Sequence, residues 1–268
     1  MKTVVITGSA RGLGLEMAKN FRKKNYNVVI SDVNVENLQK AEVVLKKIKS
    51  KAKVHMEECD VTKVKDIKNL ATVTKSLFGN IDIWINNAGI NQPDKAIWEV
   101  SDNAIDTLLN VDLKGTIMAS KVAMNIMTEQ GYGAIYNVEG HGSNDNVILG
   151  LSIYGTSKRA VTYFTEALAK EVKIKDLPII VGKLSPGIMI TDFLTNSLGT
   201  DKMSLNEKTK KVYNILGDYP DVIAEFLVNK MVNNTKNGVK FEWLTSAKAA
   251  IRFMTSAFNK RDFFGDEK

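Results

Sequence analysis

Lys2-Thr3-Val4-Val5-Ile6-Thr7-Gly8-Ser9-Ala10-Arg11-Gly12-Leu13-Gly14 is the stretch whose reading decides the fold. The run Lys2 to Ile6 has the length of a buried strand, a glycine-rich turn follows, and Leu15, Met17, Ala18 and Phe21 then recur at helical spacing. A strand, such a turn and a helix open a βαβ unit, in which backbone N–H groups and the helix N-terminus face a phosphate. Gly8 and Gly12 accept positive φ and let a pyrophosphate approach the backbone, while Gly14 lets the helix pack closely on the strand. Arg11 and Leu13 lie inside the same turn.

The next apolar run, Asn27 to Ser31, ends in Asp32, eighteen residues after Gly14. An acidic side chain there accepts hydrogen bonds from an adenosine ribose, or it caps the helix that starts near Val35. A short strand, Lys53 to Met56, leads into Cys59-Asp60-Val61-Thr62. Asp60 is placed to meet an adenine amino group, or else Asp60 or Thr62 is the N-cap of a helix from Lys63 to Phe78. Ile81 to Ile85 reads as the fourth strand and runs into Asn86-Asn87-Ala88-Gly89, whose adjacent amides must be tied to neighbouring backbone to be buried without cost. A long helical segment, Ser101 to Glu129, precedes a fifth strand, Gly133 to Val138. A helix from Leu151 to Lys173 and a sixth strand, Pro178 to Leu184, follow, closed by Ser185-Pro186-Gly187.

Strands and helices alternate throughout, which predicts an α/β protein with a doubly wound parallel sheet and ligands at the carboxyl ends of its strands. Residues 192 to 238 are polar and break the alternation, so they read as a helical substrate flap over the site. A last strand, Lys240 to Leu244, and a helix, Ser246 to Phe258, complete the pattern.

The chain of 268 residues, 44% apolar, suits one domain spanning residues 1 to 268. No apolar run is long enough for a membrane span and the N-terminus enters a strand at once, so a cytoplasmic protein is expected. Cys59 is expected to be a buried, inert thiol. The net charge of +7 is spread over helix faces among acidic residues, with no basic run interleaved with aromatics, so nucleic acid is not an expected partner. No metal site is expected either.

Tyr154 and Lys158, four apart on one helix, share a face. A phenol titrates at about 10, and a neighbouring ammonium favours the phenolate. Such a pair can move a proton to or from a carbinol oxygen while hydride moves to or from a nicotinamide. Taken alone, the pair also fits an ordinary helix surface.

In combination, Thr7 to Gly14, Asp32, Asp60-Val61, Asn86 to Gly89, Tyr154-Gly155-Thr156-Ser157-Lys158 and Pro186-Gly187 with Thr191 resemble the short-chain dehydrogenase/reductase family in order and spacing over nearly the whole chain. The resemblance implies a single Rossmann-type domain and an NAD(P)-dependent oxidoreductase acting on a small-molecule carbonyl or alcohol. It implies Tyr154 as general acid/base, and Lys158 as its neighbour and a ligand of the nicotinamide ribose. Thr191 would reach the carboxamide, backbone of Asn87, Ala88 and Gly89 would line the cofactor, and a homodimer or homotetramer is expected.

Two positions depart from the family. Asp112 stands where an asparagine usually completes a proton relay. The loop Glu139-Gly140-His141-Gly142-Ser143 lacks the usual serine near Gly140 or His141, which leaves Ser143 or His141 as the substitute donor. That loop, with Trp84 and the segment from Tyr219 to Met231, is most similar to the chlorophyll b reductase branch, whose members reduce a formyl group on a chlorin. Flap residues such as Met189, Phe193, Leu194, Leu198 and Met203 suggest an apolar pocket or ordinary helix packing. For the cofactor, Asp32 repels a 2′-phosphate whereas Arg11 attracts one; Asp32 touches the ribose directly, so NAD(H) is favoured over NADP(H). The rival reading is a dinucleotide-binding regulatory or scaffolding protein, since loss of an oxyanion-type donor costs about a hundredfold in rate.

Overall fold

A computed structural model describes residues 1–268 apart from 93, 145, 148, 191–206, 260 and 265–268. Its centre is a seven-stranded sheet ordered β3-β2-β1-β4-β5-β6-β7, with every pairing parallel. The strands are β1 (Thr3–Thr7), β2 (Asn27–Asp32), β3 (Val54–Glu58), β4 (Ile83–Asn86), β5 (Gly133–Val138), β6 (Ile179–Ser185) and β7 (Lys240–Glu242). Between them run α1 (Gly12–Lys23), α2 (Val35–Lys46), α3 (Val64–Phe78), α4 (Asp102–Leu108), α5 (Thr116–Gln130) and α6 (Ser152–Ile174). Helices α7 (Glu207–Leu216), α8 (Pro220–Val232) and α9 (Ser246–Thr255) flank β7. The strand order reverses between β1 and β4, the switch point at which such sheets bind ligands.

Parallel strands covered on both faces are apolar along their length, and alternate residues feed two separate cores. Val4, Ile6, Val28, Ile30, Ile83, Ile85 and Tyr136 face α1, α2 and α8, whereas Val5, Val29, Trp84 and Ile135 face α3, α5 and α6. Pro220 at the start of α8 is placed where a helix needs no N–H, and Ile223, Ala224, Leu227 and Val228 of this helix are fully buried. Pro220–Val232 is therefore a core helix and not part of a flap. Its apolar residues are spaced to cover α1, and that packing removes it from the solvent-facing role that its polar surroundings suggest. Residues 192–206 of the expected flap lie outside the described residues, as do Phe193, Leu194, Leu198 and Met203.

The long helical segment is also less uniform than its periodicity implies. Residues Leu109–Gly115, between α4 and α5, wind as a π-helix with Asp112 and Gly115 buried. A Cβ at Gly115 would lie 2.9 Å from Val61 Cγ2, so this wide turn seats directly against the end of the β3 segment.

Candidate active site

The floor of the site is built by contact between the turns after β1 and β4. Gly8 and Gly12 have φ of +60° and +56°, and a Cβ at Gly8 would fall 2.6 Å from the Ala88 Cα. At Gly12 nothing lies within 4 Å of that position, so the turn opens outward there. At Gly14 a Cβ would lie 2.6 Å from the Gly8 carbonyl oxygen and 2.7 Å from Asn87 Nδ2, so only glycine fits beneath the turn. Asn87 Nδ2 donates to the carbonyls of Thr7 and Gly8 at 3.0 and 2.7 Å, and the N–H groups of Asn87 and Ala88 both donate to Thr7 Oγ1 at 3.1 Å.

Asn86 turns the other way, into the sheet. Its Nδ2 donates to Ser120 Oγ at 2.9 Å and Asn137 Oδ1 at 2.7 Å, its Oδ1 accepts from Trp84 Nε1 at 2.8 Å, and Asn137 Nδ2 donates to Thr165 Oγ1 at 2.8 Å. All of these polar groups are buried and partnered, which is the condition for keeping them in a core.

Above this floor is a cavity of about 470 Å³. Its lining includes Gly8, Arg11, Gly12 and Leu13 of the glycine turn, Asp32, Asp60 and Val61, Asn87, Ala88 and Gly89, and Val111, Glu139, Tyr154, Lys158, Met189 and Ile190. Asp32 does not cap α2, because Asn34 does, accepting the Asn37 N–H at 2.9 Å. Asp32 instead accepts the Asn34 and Ala10 N–H groups at 3.2 and 3.4 Å, which holds its carboxylate at the cavity wall. The N-cap of α3 is Lys63, not Asp60 or Thr62. Asp60 Oδ1 accepts the N–H and hydroxyl of Thr62 at 3.0 and 2.7 Å, and Oδ2 pairs with Lys63 at 3.2 Å. Burial opposes its charge, but these partners prevail and hold Asp60 below its usual carboxylate range. Cys59 lines the cavity yet is buried, and burial with Asp66, Asp60 and Glu57 nearby pushes its thiol up to about 12, in keeping with an inert role.

The reactive end is Tyr154 and Lys158, both buried on the first turns of α6. Lys158 Nζ sits 5.4 Å from the Tyr154 ring centroid and 2.9 Å from Asp112 Oδ2, and Asp112 Oδ1 accepts the Ile90 N–H at 2.8 Å. Burial works against the charge on Lys158, but Asp112 and then Tyr154 outweigh it and raise its pKa. For Tyr154, burial raises the pKa, Lys158 lowers it and Asp112 raises it again, with a net upward direction. This reverses the expectation that the ammonium makes the phenol more acidic, and the reasons are burial and a compensating carboxylate that spacing alone does not reveal.

At the departing loop, a Cβ on Gly140 would overlap the Tyr154 hydroxyl, so this position has no room for a serine while Tyr154 stays in place. Ser143 is buried, but its Oγ accepts the Gly140 N–H at 3.2 Å and donates to the Lys158 carbonyl at 3.4 Å. That hydroxyl is engaged with backbone, and His141 is exposed. Pro186 and Gly187 lie beside the site and not among the cavity-lining residues; Gly187, at φ +73°, makes room for Leu244, and Met189 and Ile190 of the same segment reach the cavity. Thr191 lies outside the described residues.

Two residues of consequence escape a reading of the sequence. Gln92 is buried, and its Oε1 accepts the N–H groups of Ile153 and Tyr154 at 2.9 Å each while Nε2 donates to the Gly150 carbonyl. It satisfies the otherwise open first turn of α6 from about sixty residues away, which no local motif signals. Glu139 is buried between Thr162, Lys183 and Lys240, at 2.9, 3.9 and 3.5 Å. A charge directly after the strand Gly133 to Val138 is the signal that would have found it.

A glycine turn, a wall carboxylate and a buried Tyr/Lys pair around one cavity define a nucleotide-dependent oxidoreductase site. The short chain dehydrogenase family model matches residues 2–202, and the chain belongs to that family as a short-chain dehydrogenase/reductase enzyme. Chlorophyll(ide) b reductase NOL, chloroplastic, of Oryza sativa subsp. japonica is 34% identical over 96% of this chain and 76% of its own length. The probable chlorophyll(ide) b reductase NYC1 of the same plant is 30% identical over 99% of the chain, which spans only 54% of that protein. Among solved structures, 3-ketoacyl-(acyl-carrier-protein) reductase from Brucella melitensis complexed with NADH superposes with a TM-score of 0.78 at 25% identity, covering 90% of this chain and 96% of that one. Relatives named as reductases support the enzyme over the regulatory reading.

The residues present fit a dinucleotide: the turn opens at Gly12, where α1 begins, and Asp32 and Asp60 line the same cavity. No helix among the described residues is long and apolar enough to cross a membrane.

Proposed function

We propose that the protein reduces the carbonyl group of a bulky apolar substrate, with Tyr154 as the proton donor and NAD(H) favoured over NADP(H). The carrying observation is the placement of Tyr154 and Lys158, both buried, on the cavity that the glycine turn opens into. A bound nicotinamide supplies hydride to the carbonyl carbon. Tyr154 gives its phenolic proton to the carbonyl oxygen, and the Lys158 ammonium stabilises the phenolate left behind. Glycine at position 140 leaves the approach to that hydroxyl open. Gly8, Gly12 and the N-terminus of α1 would hold the pyrophosphate, and Asp32 would accept hydrogen bonds from the adenosine ribose and disfavour a 2′-phosphate.

A bulky apolar substrate is supported by exposed apolar side chains on the segments that Gln92 ties to the start of α6. Trp98, Val147 and Leu149 are 85%, 88% and 89% exposed on two segments that the Gly150 carbonyl joins through Lys95 N–H and Gln92. The names of the plant relatives make a formyl-bearing tetrapyrrole one member of the class to test.

The test is fluorescence titration of NADH and NADPH on wild type and Asp32→Ala, then cofactor oxidation against bulky ketones and aldehydes, chlorophyll(ide) b included. Tighter NADH binding that relaxes in Asp32→Ala, with turnover lost in Tyr154→Phe, is the expected outcome. Cofactor binding with no turnover on any carbonyl would overturn the proposed reduction.

A further inference from the structure

Asp112 stands in an unusual relation to the Tyr/Lys pair. Its carboxylate is fully buried, 2.9 Å from Lys158 Nζ, and the residue is fixed through both its side chain and its backbone. The Ile90 N–H donates to Oδ1 at 2.8 Å, Thr116 Oγ1 donates to the Asp112 carbonyl at 2.8 Å, and the π-wound turn carries the residue inward. Gly89 roofs the pair closely: a Cβ there would be 3.3 Å from Asp112 Oδ2 and 3.4 Å from Lys158 Nζ.

We propose that Asp112 is a positioning residue that compensates the Lys158 charge and keeps Tyr154 a neutral phenol at rest, so that the site waits as a proton donor for carbonyl reduction. This rests on the reading of Tyr154 as the acid. An uncompensated ammonium beside a phenol favours the phenolate, whereas an ammonium paired with a buried carboxylate acts as a dipole whose field at the ring is far weaker. An asparagine at this position could accept the Ile90 N–H in the same way but would bring no charge.

The other charged or titratable groups around the phenol do not replace this one. Glu139, at the end of β5, is taken up by Thr162, Lys183 and Lys240. His141, in the same loop, is exposed. Arg11, Asp32 and Asp60 line the same cavity, but the charges that act on the Tyr154 proton are Lys158 and Asp112. Burial of Tyr154 and the Asp112 charge both push its proton affinity up, against the pull of Lys158.

The test is an ultraviolet tyrosinate titration of the whole protein without substrate, with the Tyr154→Phe spectrum subtracted to isolate Tyr154. In Asp112→Asn the midpoint is expected to fall by about one pH unit or more, giving about tenfold more phenolate at a given pH. Asp112→Ser, a second uncharged variant, serves if the asparagine variant does not fold. Midpoints that coincide with wild type, with circular dichroism unchanged, would overturn the proposal. The titration needs no turnover, so inactivity on every carbonyl would sink the reduction reading, while coincident midpoints in an active enzyme would sink this inference alone.

Discussion

Gly140 makes the sharpest demand of any single residue, because its missing side chain is the space in which the Tyr154 hydroxyl sits. Gly140→Ser, which restores the donor that relatives of this fold usually carry, is therefore expected to lower kcat by about tenfold or more by displacing the phenol, since misplacement of a reacting group by about 1 Å costs rates of that order. Cofactor affinity measured by NADH fluorescence should stay near wild type, and an unchanged or raised kcat would show that the loop yields. Cys59 gives a second test. With its thiol pushed up to about 12 and buried, it should resist iodoacetamide at neutral pH and react only in denaturant; labelling of the folded protein would contradict its placement.

Helix α6 begins with no side-chain cap of its own, and Gln92 supplies one from the segment after β4. Gln92→Ala should free the buried Tyr154 N–H and the part-buried Ile153 N–H in the turn that carries Tyr154, at a cost of about 1–3 kcal/mol for a buried one left unsatisfied. Urea unfolding should show the loss, and kcat should fall more than NADH affinity; equal stability would mean that water replaces the amide. Helix α8 offers the complementary measurement. Leu227→Ala is expected to destabilise by about 2–5 kcal/mol, as in a packed core, whereas a segment lying loosely over the site would lose almost nothing.

Across the molecule, most of the fold was legible because strand periodicity and the glycine turn are local signals. The continuous apolar run Val4, Val5, Ile6 and the spacing of Thr7 to Gly14 announce β1, its turn and α1 without any knowledge of neighbours. The Tyr154/Lys158 end of the site was legible for the same reason. Its protonation was not, because the Asp112 carboxylate arrives from a π-wound turn whose extra residue changes which side chains point inward. Helix α8 was misread as flap because its cover, α1, lies some two hundred residues away in the chain.

Acid titration is a whole-molecule readout of the same electrostatics. Asp60 has a folded pKa below its usual value, so its contribution to stability is present above about pH 4 and is lost as pH falls through the lower folded value. Asp60→Asn should flatten that part of the urea-midpoint profile, and an unaltered slope would show that its hydrogen bonds persist in the unfolded chain.

The buried amides and hydroxyls of Asn86, Ser120, Asn137 and Thr165 come one each from β4, α5, β5 and α6. Because strand side chains alternate faces, sliding β4 or β5 by one residue would put Ile85 or Asn87 in place of Asn86, or Tyr136 or Val138 in place of Asn137, and break the network. The quartet thus works as a proofreading lock at the sheet's centre: a misaligned chain fails it outright, and insertions in β4 or β5 should be tolerated far less than insertions of equal length in the loop after Gly142.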